Sequence, residues 1–137
     1  MISSSTKILV VDDFSLARIM LSEALKGLGY KDITEAKNGQ DAMVILEQAR
    51  STANPFSLLF LDWAMPVMTG LEVLTTCRST EKFSRIPIIM VTAEEEKANV
   101  MKALVAGATG YIKKPITKDV LAKRISEINS KLLEKGA

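Results

Sequence analysis

Three stretches of the chain, Lys7–Val11 (apolar from Ile8), residues 58–61 (Leu-Leu-Phe-Leu) and residues 87–91 (Pro-Ile-Ile-Met-Val), run continuously apolar where a half-exposed strand would alternate. Residues 109–112 form a fourth run. Such runs are how strands covered on both faces of a parallel sheet read. A fifth, weaker run, Asp32–Ala36, is polar enough to predict a strand at the sheet edge. Between the runs the spacing becomes helical. Ala17, Leu21, Ala24, Leu25 and Leu28 form a first stripe, ended by Gly27 and Gly29. Asn38-Gly39 signals a turn, followed by a second stripe of Ala42, Ile45, Leu46 and Ala49 and then a polar loop over 51–55. Thr69-Gly70 opens a third helix carrying Leu71, Leu74 and Cys77, which gives way to the polar stretch 78–85. A fourth, over about 95–106, carries Ala98, Met101 and Val105 as its expected core stripe and is halted by Gly107. The last starts near Thr117, with Leu121, Ile125, Ile128 and Leu132 on its core face and Lys118, Lys123, Lys131 and Lys135 largely off it.

Strands alternating with helices imply right-handed crossovers and a parallel sheet. Five such repeats favour an α/β, flavodoxin-like, doubly wound sheet of order 2-1-3-4-5 with five helices. The 137 residues fit a single domain over 1–137. Neither a linker nor an internal repeat interrupts them, and the tail after Lys114 is long enough for one helix and too short for an output domain.

Composition narrows the functional classes. The 47% hydrophobic and 25% charged content is that of an ordinary globular protein, and no apolar run is long enough to span a bilayer. The start, Met1 to Thr6, has neither the basic region nor the apolar stretch of a secretory signal, so a cytoplasmic address is expected. The net charge of +2 is scattered along the chain rather than gathered with aromatics into a nucleic-acid-binding stripe. Cys77, the sole cysteine, reads as a small buried hydrophobe. With no histidine, Ser-His-Asp and Cys-His catalysis and His-ligated zinc are excluded, and covalent chemistry falls to a carboxylate.

The polar residues that close the apolar runs fit that requirement. Asp12 and Asp13 follow the first strand, Asp62 the third, Thr92 the fourth, and Lys114 the last. Open α/β sheets bind ligands at this carboxyl edge. Three carboxylates there repel one another unless a cation compensates them. Oxygen ligands without His or Cys suit a hard ion that keeps waters, which makes Mg²⁺ the expected cofactor. Asp62 can then be a nucleophile toward phosphorus, with Lys114 supplying a point charge and Thr92 a hydrogen bond to the phosphoryl oxygens. Taken singly, Asp-Asp after a strand and a threonine before a helix are ordinary turn and cap chemistry. Five suitable residues at four strand ends are not.

The segments Val11-Asp12-Asp13-Phe14-Ser15, Leu61-Asp62-Trp63-Ala64-Met65-Pro66 with Gly70, Val91-Thr92-Ala93-Glu94, and Gly110-Tyr111-Ile112-Lys113-Lys114-Pro115 together resemble the response-regulator receiver family, most of all its stand-alone chemotaxis members. The resemblance covers essentially the whole chain. It implies Asp62 as phosphoacceptor, Asp12 and Asp13 as the acidic pair that binds Mg²⁺, the Ala64 backbone carbonyl as a further metal ligand, and Thr92 and Lys114 at the phosphoryl group. It also implies a cis bond before Pro115, with Lys113 facing away. Ala64 stands where chemotaxis relatives commonly carry asparagine, so phosphoryl lifetime is open to tuning there and at Glu94. Glu94 equally suits the N-terminal end of the helix dipole.

The resemblance further implies a histidine kinase as phosphodonor, docking near residues 14–18 and the loop after Lys114, with no enzymatic activity beyond the chain's own phosphorylation and dephosphorylation. It makes Tyr111 the switch aromatic, coupled to Thr92. Apolar residues off the expected core face of helix four, Val100 and Leu104, would join Lys97 and Tyr111 in a target-binding surface made by helix four, strand five and helix five. The target would be a protein such as the flagellar motor switch, bound by a monomer without nucleic acid or membrane. Within the family, a non-motility pathway or a phosphorelay is the alternative. A flavodoxin-like electron carrier is disfavoured because Asp12 and Asp13 would repel the flavin phosphate. An aspartyl-phosphate phosphatase would want an acid where Ala64 stands.

Overall fold

The computed structural model describes residues 2–93 and 97–136. Five strands, β1 (Lys7–Val11), β2 (Asp32–Ala36), β3 (Leu58–Asp62), β4 (Ile88–Thr92) and β5 (Gly110–Lys113), alternate with helices α1 (Ser15–Gly27), α2 (Gly39–Arg50), α3 (Gly70–Ser79), α4 (Lys97–Val105) and α5 (Lys118–Gly136). All pairings are parallel and the order is β2-β1-β3-β4-β5, as the hydrophobic pattern predicts. A 3-10 turn, Glu81–Phe83, lies within the polar stretch that follows α3.

The strand runs are continuous because both sheet faces are covered. Leu9, Val11, Leu59, Leu61, Ile88 and Met90 pack with Ala42 and Leu46 of α2, Val73, Leu74 and Cys77 of α3, and Ala103 of α4. Ile8, Val10, Leu58, Phe60, Ile89 and Val91 pack with Leu21 and Leu25 of α1 and Leu121, Ile125 and Ile128 of α5. Each fully buried side chain of the size of Phe60 contributes about 1.5–3 kcal/mol. β2 reads as polar because it is an edge strand, with burial complete only at Ala36.

Local signals set the helix ends. Asn38 Oδ1 accepts from the Asp41 N–H at 2.7 Å at the start of α2, and Thr69 with Glu72 forms a capping box on α3. α1 and α4 end on glycines with φ of 100° and 106°, Gly29 and Gly107. There the Tyr30 N–H reaches the Leu25 carbonyl (3.1 Å), and the Ala108 N–H that of Ala103 (2.9 Å).

The expected orientation of helix four is wrong. Ala98, Met101 and Val105 face outward, Met101 at 57% and Val105 at 82% exposure, while the buried residue is Ala103. Val100, expected off the core face, is half-buried on the inner side, and Leu104 is exposed. Apolar residues fall on more than one face of this helix, so spacing alone does not choose between them, and the face that meets the sheet is the one carrying Ala103. Helix three also differs in part, since Leu71 lies at the core margin and Val73, outside the expected stripe, is fully buried. Strands three to five each run one residue further than predicted, so Asp62, Thr92 and Lys113 are strand residues.

Candidate functional site

In a doubly wound sheet of this order, the crossovers change direction between β1 and β3, and the carboxyl end of that pair is where a crevice opens. Val11 pairs with Leu61, so Asp12 and Asp62, the next residue of each strand, emerge side by side. Asp62 pairs with Val91, and Thr92 with Lys113, which brings Thr92 and Lys114 to the same edge. Asp12, Asp13, Asp62, Ala64, Thr92 and Lys114 all line one cleft of about 480 Å³, together with Phe14, Trp63 and Ala93.

Asp12, Asp62 and Thr92 are buried, and Asp13 is exposed. Lys114 Nζ bridges the two buried acids, donating to Asp12 Oδ2 at 2.8 Å and to Asp62 Oδ1 at 3.2 Å. The Lys114–Pro115 bond is cis, and Lys113 is exposed. Burial pushes the Asp62 carboxyl up to about 6. The Asp12 charge adds to the rise, while the Lys114 charge and hydrogen bond pull it down. Burial by itself would depress the Lys114 ammonium, but its hydrogen bond to Asp12 and the charges of Asp62 and Asp12 outweigh that and raise it. One ammonium is therefore holding a site that is short of positive charge.

A divalent cation fits that deficit. Carboxylate oxygens of Asp12, Asp13 and Asp62 lie within 4.8 Å of one another, an all-oxygen donor set with one exposed member. Hard cations prefer such donors.

The surrounding backbone is built to hold the site. The Phe14 N–H donates to Asp12 Oδ1 at 2.9 Å, and the Gly70 N–H to the Trp63 carbonyl at 3.0 Å, which ties the loop after Asp62 to the start of α3. Gly70 needs to be glycine because a methyl there would run into the Asp62 carbonyl oxygen. Two supporting residues escaped sequence reasoning. Arg18, expected only as part of a docking segment, is turned inward, with its Nη1 2.7 Å from the Asp12 carbonyl. Its partner Glu35 lies on β2, seventeen positions away, and no local pattern signals that pairing.

The structure joins the predicted output residues less completely. Tyr111 is half-buried on β5 and packs at the margin of the core beside α4. Glu94 and the start of helix four lie outside the described residues, as does the Lys97 side chain.

Beside the cleft, Phe14, Leu16 and Met20 are exposed and line an apolar pocket of about 320 Å³ with Ala17, Pro115 and Ile116.

Sequence comparison accounts for this arrangement: the response regulator receiver domain model matches residues 8–126. The chain belongs to the response regulator receiver family. It is 38% identical to the chemotaxis protein CheY of Pseudomonas aeruginosa, over 89% of this chain and 94% of that protein. It is 42% identical to CheY1 of Helicobacter pylori, over 89% of this chain and 95% of that protein. The fold is similar to that of CheY4 of Vibrio cholerae, with a TM-score of 0.80 at 31% identity, covering 90% of this chain and 98% of the other. It is also similar to the receiver domain of the histidine kinase CKI1 of Arabidopsis thaliana, solved with Mg²⁺ and BeF₃⁻. There the TM-score is 0.81 at 27% identity, covering 91% and 90%. As a receiver, the chain is a chemotaxis-type response regulator homologue, and no helix among its described residues is long and apolar enough to cross a membrane.

Proposed function

We propose that this receiver accepts a phosphoryl group on Asp62 from the phosphohistidine of a kinase and thereby switches a protein-binding face. The observation that carries the reading is the buried Asp62 carboxylate, held 3.2 Å from Lys114 Nζ with Asp12 and Asp13 alongside. An Asp62 oxygen attacks phosphorus, the bond from phosphorus to the donor's imidazole nitrogen breaks, and that nitrogen leaves with the electron pair. Asp12, Asp13, Asp62 and the Ala64 carbonyl would hold Mg²⁺, which when bound offsets charge on the phosphoryl oxygens. Lys114 then has a phosphoryl oxygen to meet in place of its present carboxylate partners, and the Thr92 hydroxyl would donate a hydrogen bond to another. Hydrolysis by water at phosphorus returns the carboxylate, so the turnover concerns the protein itself.

The readout face is α4, β5 and α5. Met101, Leu104 and Val105 are exposed on α4 and Val120 on α5, with Tyr111 half-buried and Lys113 exposed between them on β5. An exposed apolar face of this kind favours a protein partner. The names of the chemotaxis relatives support a target in flagellar motor control. The kinase would approach over Phe14, Leu16 and the loop after Lys114. This reading takes the chain as a single-domain, monomeric, cytoplasmic regulator.

The test is to incubate wild type and Asp62→Ala with acetyl phosphate and Mg²⁺ and weigh both intact. Wild type should gain one phosphoryl mass and the variant none. A gain in the variant would refute Asp62 as acceptor.

A further inference from the structure

Arg18 stands behind the acids on α1, with 17% of its side chain exposed. Its guanidinium donates in two directions, from Nη1 to the Asp12 backbone carbonyl at 2.7 Å and from Nε to Glu35 Oε1 on β2 at 3.0 Å. Asp12 is thereby tied at every polar atom. Its N–H donates to the Ala36 carbonyl at 3.2 Å, its Oδ1 accepts from Phe14, and its Oδ2 accepts from Lys114. Asp13 is different, because its side chain is exposed.

The carbonyl that Arg18 holds belongs to the peptide unit joining Asp12 to Asp13. A peptide unit is planar, so fixing its oxygen fixes the orientation of the plane and with it the bonds by which the next residue leaves. Arg18 therefore acts on Asp13 through the backbone, without touching its carboxylate. Arg suits this task because its planar fork can satisfy two acceptors at once, whereas a lysine offers a single rotating point charge.

We propose that Arg18 is a positioning residue for the divalent-cation site: it locks the Asp12–Asp13 peptide plane, anchored against Glu35, so that the Asp13 carboxylate is aimed toward those of Asp12 and Asp62. The inference rests on the reading that these acids hold Mg²⁺. Its sign is opposite to that of simple electrostatics. A cation next to a metal site repels the metal, so deleting one should tighten binding. Losing a residue that orients ligands weakens metal affinity, typically by about 10- to 100-fold.

The experiment is a calorimetric Mg²⁺ titration of the full chain as wild type, Arg18→Ala, Arg18→Lys and Asp13→Ala, and as the Arg18→Ala/Asp13→Ala double variant. All are checked for folding by circular dichroism at the working temperature. Arg18→Ala should bind Mg²⁺ at least about tenfold more weakly, and Arg18→Lys should recover part of the loss. With Asp13 already removed, Arg18→Ala should change affinity by less than about twofold, because residues acting through one another are not additive. If Arg18→Ala fails to fold, Arg18→Lys decides, with weakening of several-fold expected. Unchanged or tighter binding in the Arg18 variants, or a full penalty that persists without Asp13, overturns the proposal while leaving the metal site intact. A wild type that binds no Mg²⁺ overturns the metal reading and this inference with it.

Discussion

At the scale of the residue, burial decides the chemistry. Asp62 and Cys77 are both enclosed, and both are pushed toward the neutral form. The Cys77 thiol rises to about 11, which leaves it the inert hydrophobe its sequence context predicts. The Asp62 carboxyl rises from 3.8 to about 6, with burial first and the Asp12 charge second among the causes. A carboxyl raised in the folded state makes its full contribution to stability below its unfolded value. That contribution is lost as pH climbs through the folded value. In metal-free buffer, Asp62→Asn should therefore become more stable than wild type by an amount that grows between about pH 4 and pH 7, reaching an order of 1–3 kcal/mol. Urea denaturation at several pH values measures the gap, and a gap independent of pH contradicts the assignment. Such a cost at rest is what a site awaiting a cation should show.

At the scale of the element, α4 is the instructive case. The spacing of its apolar residues is helical, and a helix is found, but periodicity cannot say which side meets the sheet when apolar residues lie on more than one face. Ala103 is fully buried at the contact, while Met101, Leu104 and Val105 are left to solvent. Ala103→Leu should cost about 1–3 kcal/mol through overpacking. Val105→Ser should stay within about 0.5 kcal/mol. Chemical denaturation of the two variants compares them directly, and a costly Val105→Ser would put that residue back in the core. The same exposed stripe is what makes α4 a candidate surface for a partner. The residues that misled the packing prediction are thus the ones that recommend the binding face.

At the scale of the whole molecule, site and readout are two ends of one sheet edge. Thr92 ends β4, the Lys114 N–H donates to the Thr92 carbonyl at 2.8 Å, and Tyr111 lies on the same short strand that delivers Lys114. On the proposed function, a phosphoryl group at Asp62 that drew in Thr92 and Lys114 would act on the strand carrying Tyr111 and so on the α4–β5–α5 face. A target fragment titrated against protein with and without Mg²⁺ and beryllofluoride should bind more tightly to the loaded form. Equal affinities would sink the switch. If the three acids hold Mg²⁺ in the folded chain as proposed, Mg²⁺ at about 100 times its dissociation constant should stabilise the fold by about 2.7 kcal/mol. Asp13→Ala should abolish most of that gain in a thermal or urea unfolding series.

The sequence by itself determined the sheet, its strand order, the helices and the strand ends that carry Asp12, Asp13, Asp62, Thr92 and Lys114. The elements and their ends follow from patterns local to each segment, continuous apolar runs, helical stripes, caps and glycine stops, and the strand order from their strict alternation with right-handed crossovers. The response-regulator segments were legible for the same reason. Tertiary structure alone decided which face of α4 is buried, that Arg18 turns inward to the Asp12 carbonyl, and that Lys114 bridges two carboxylates. Those outcomes depend on pairs of residues far apart in the chain, such as Arg18 with Glu35 and Lys114 with Asp12. Local spacing carries no record of such pairs, because they are chosen by which side chains fit together once the sheet has formed.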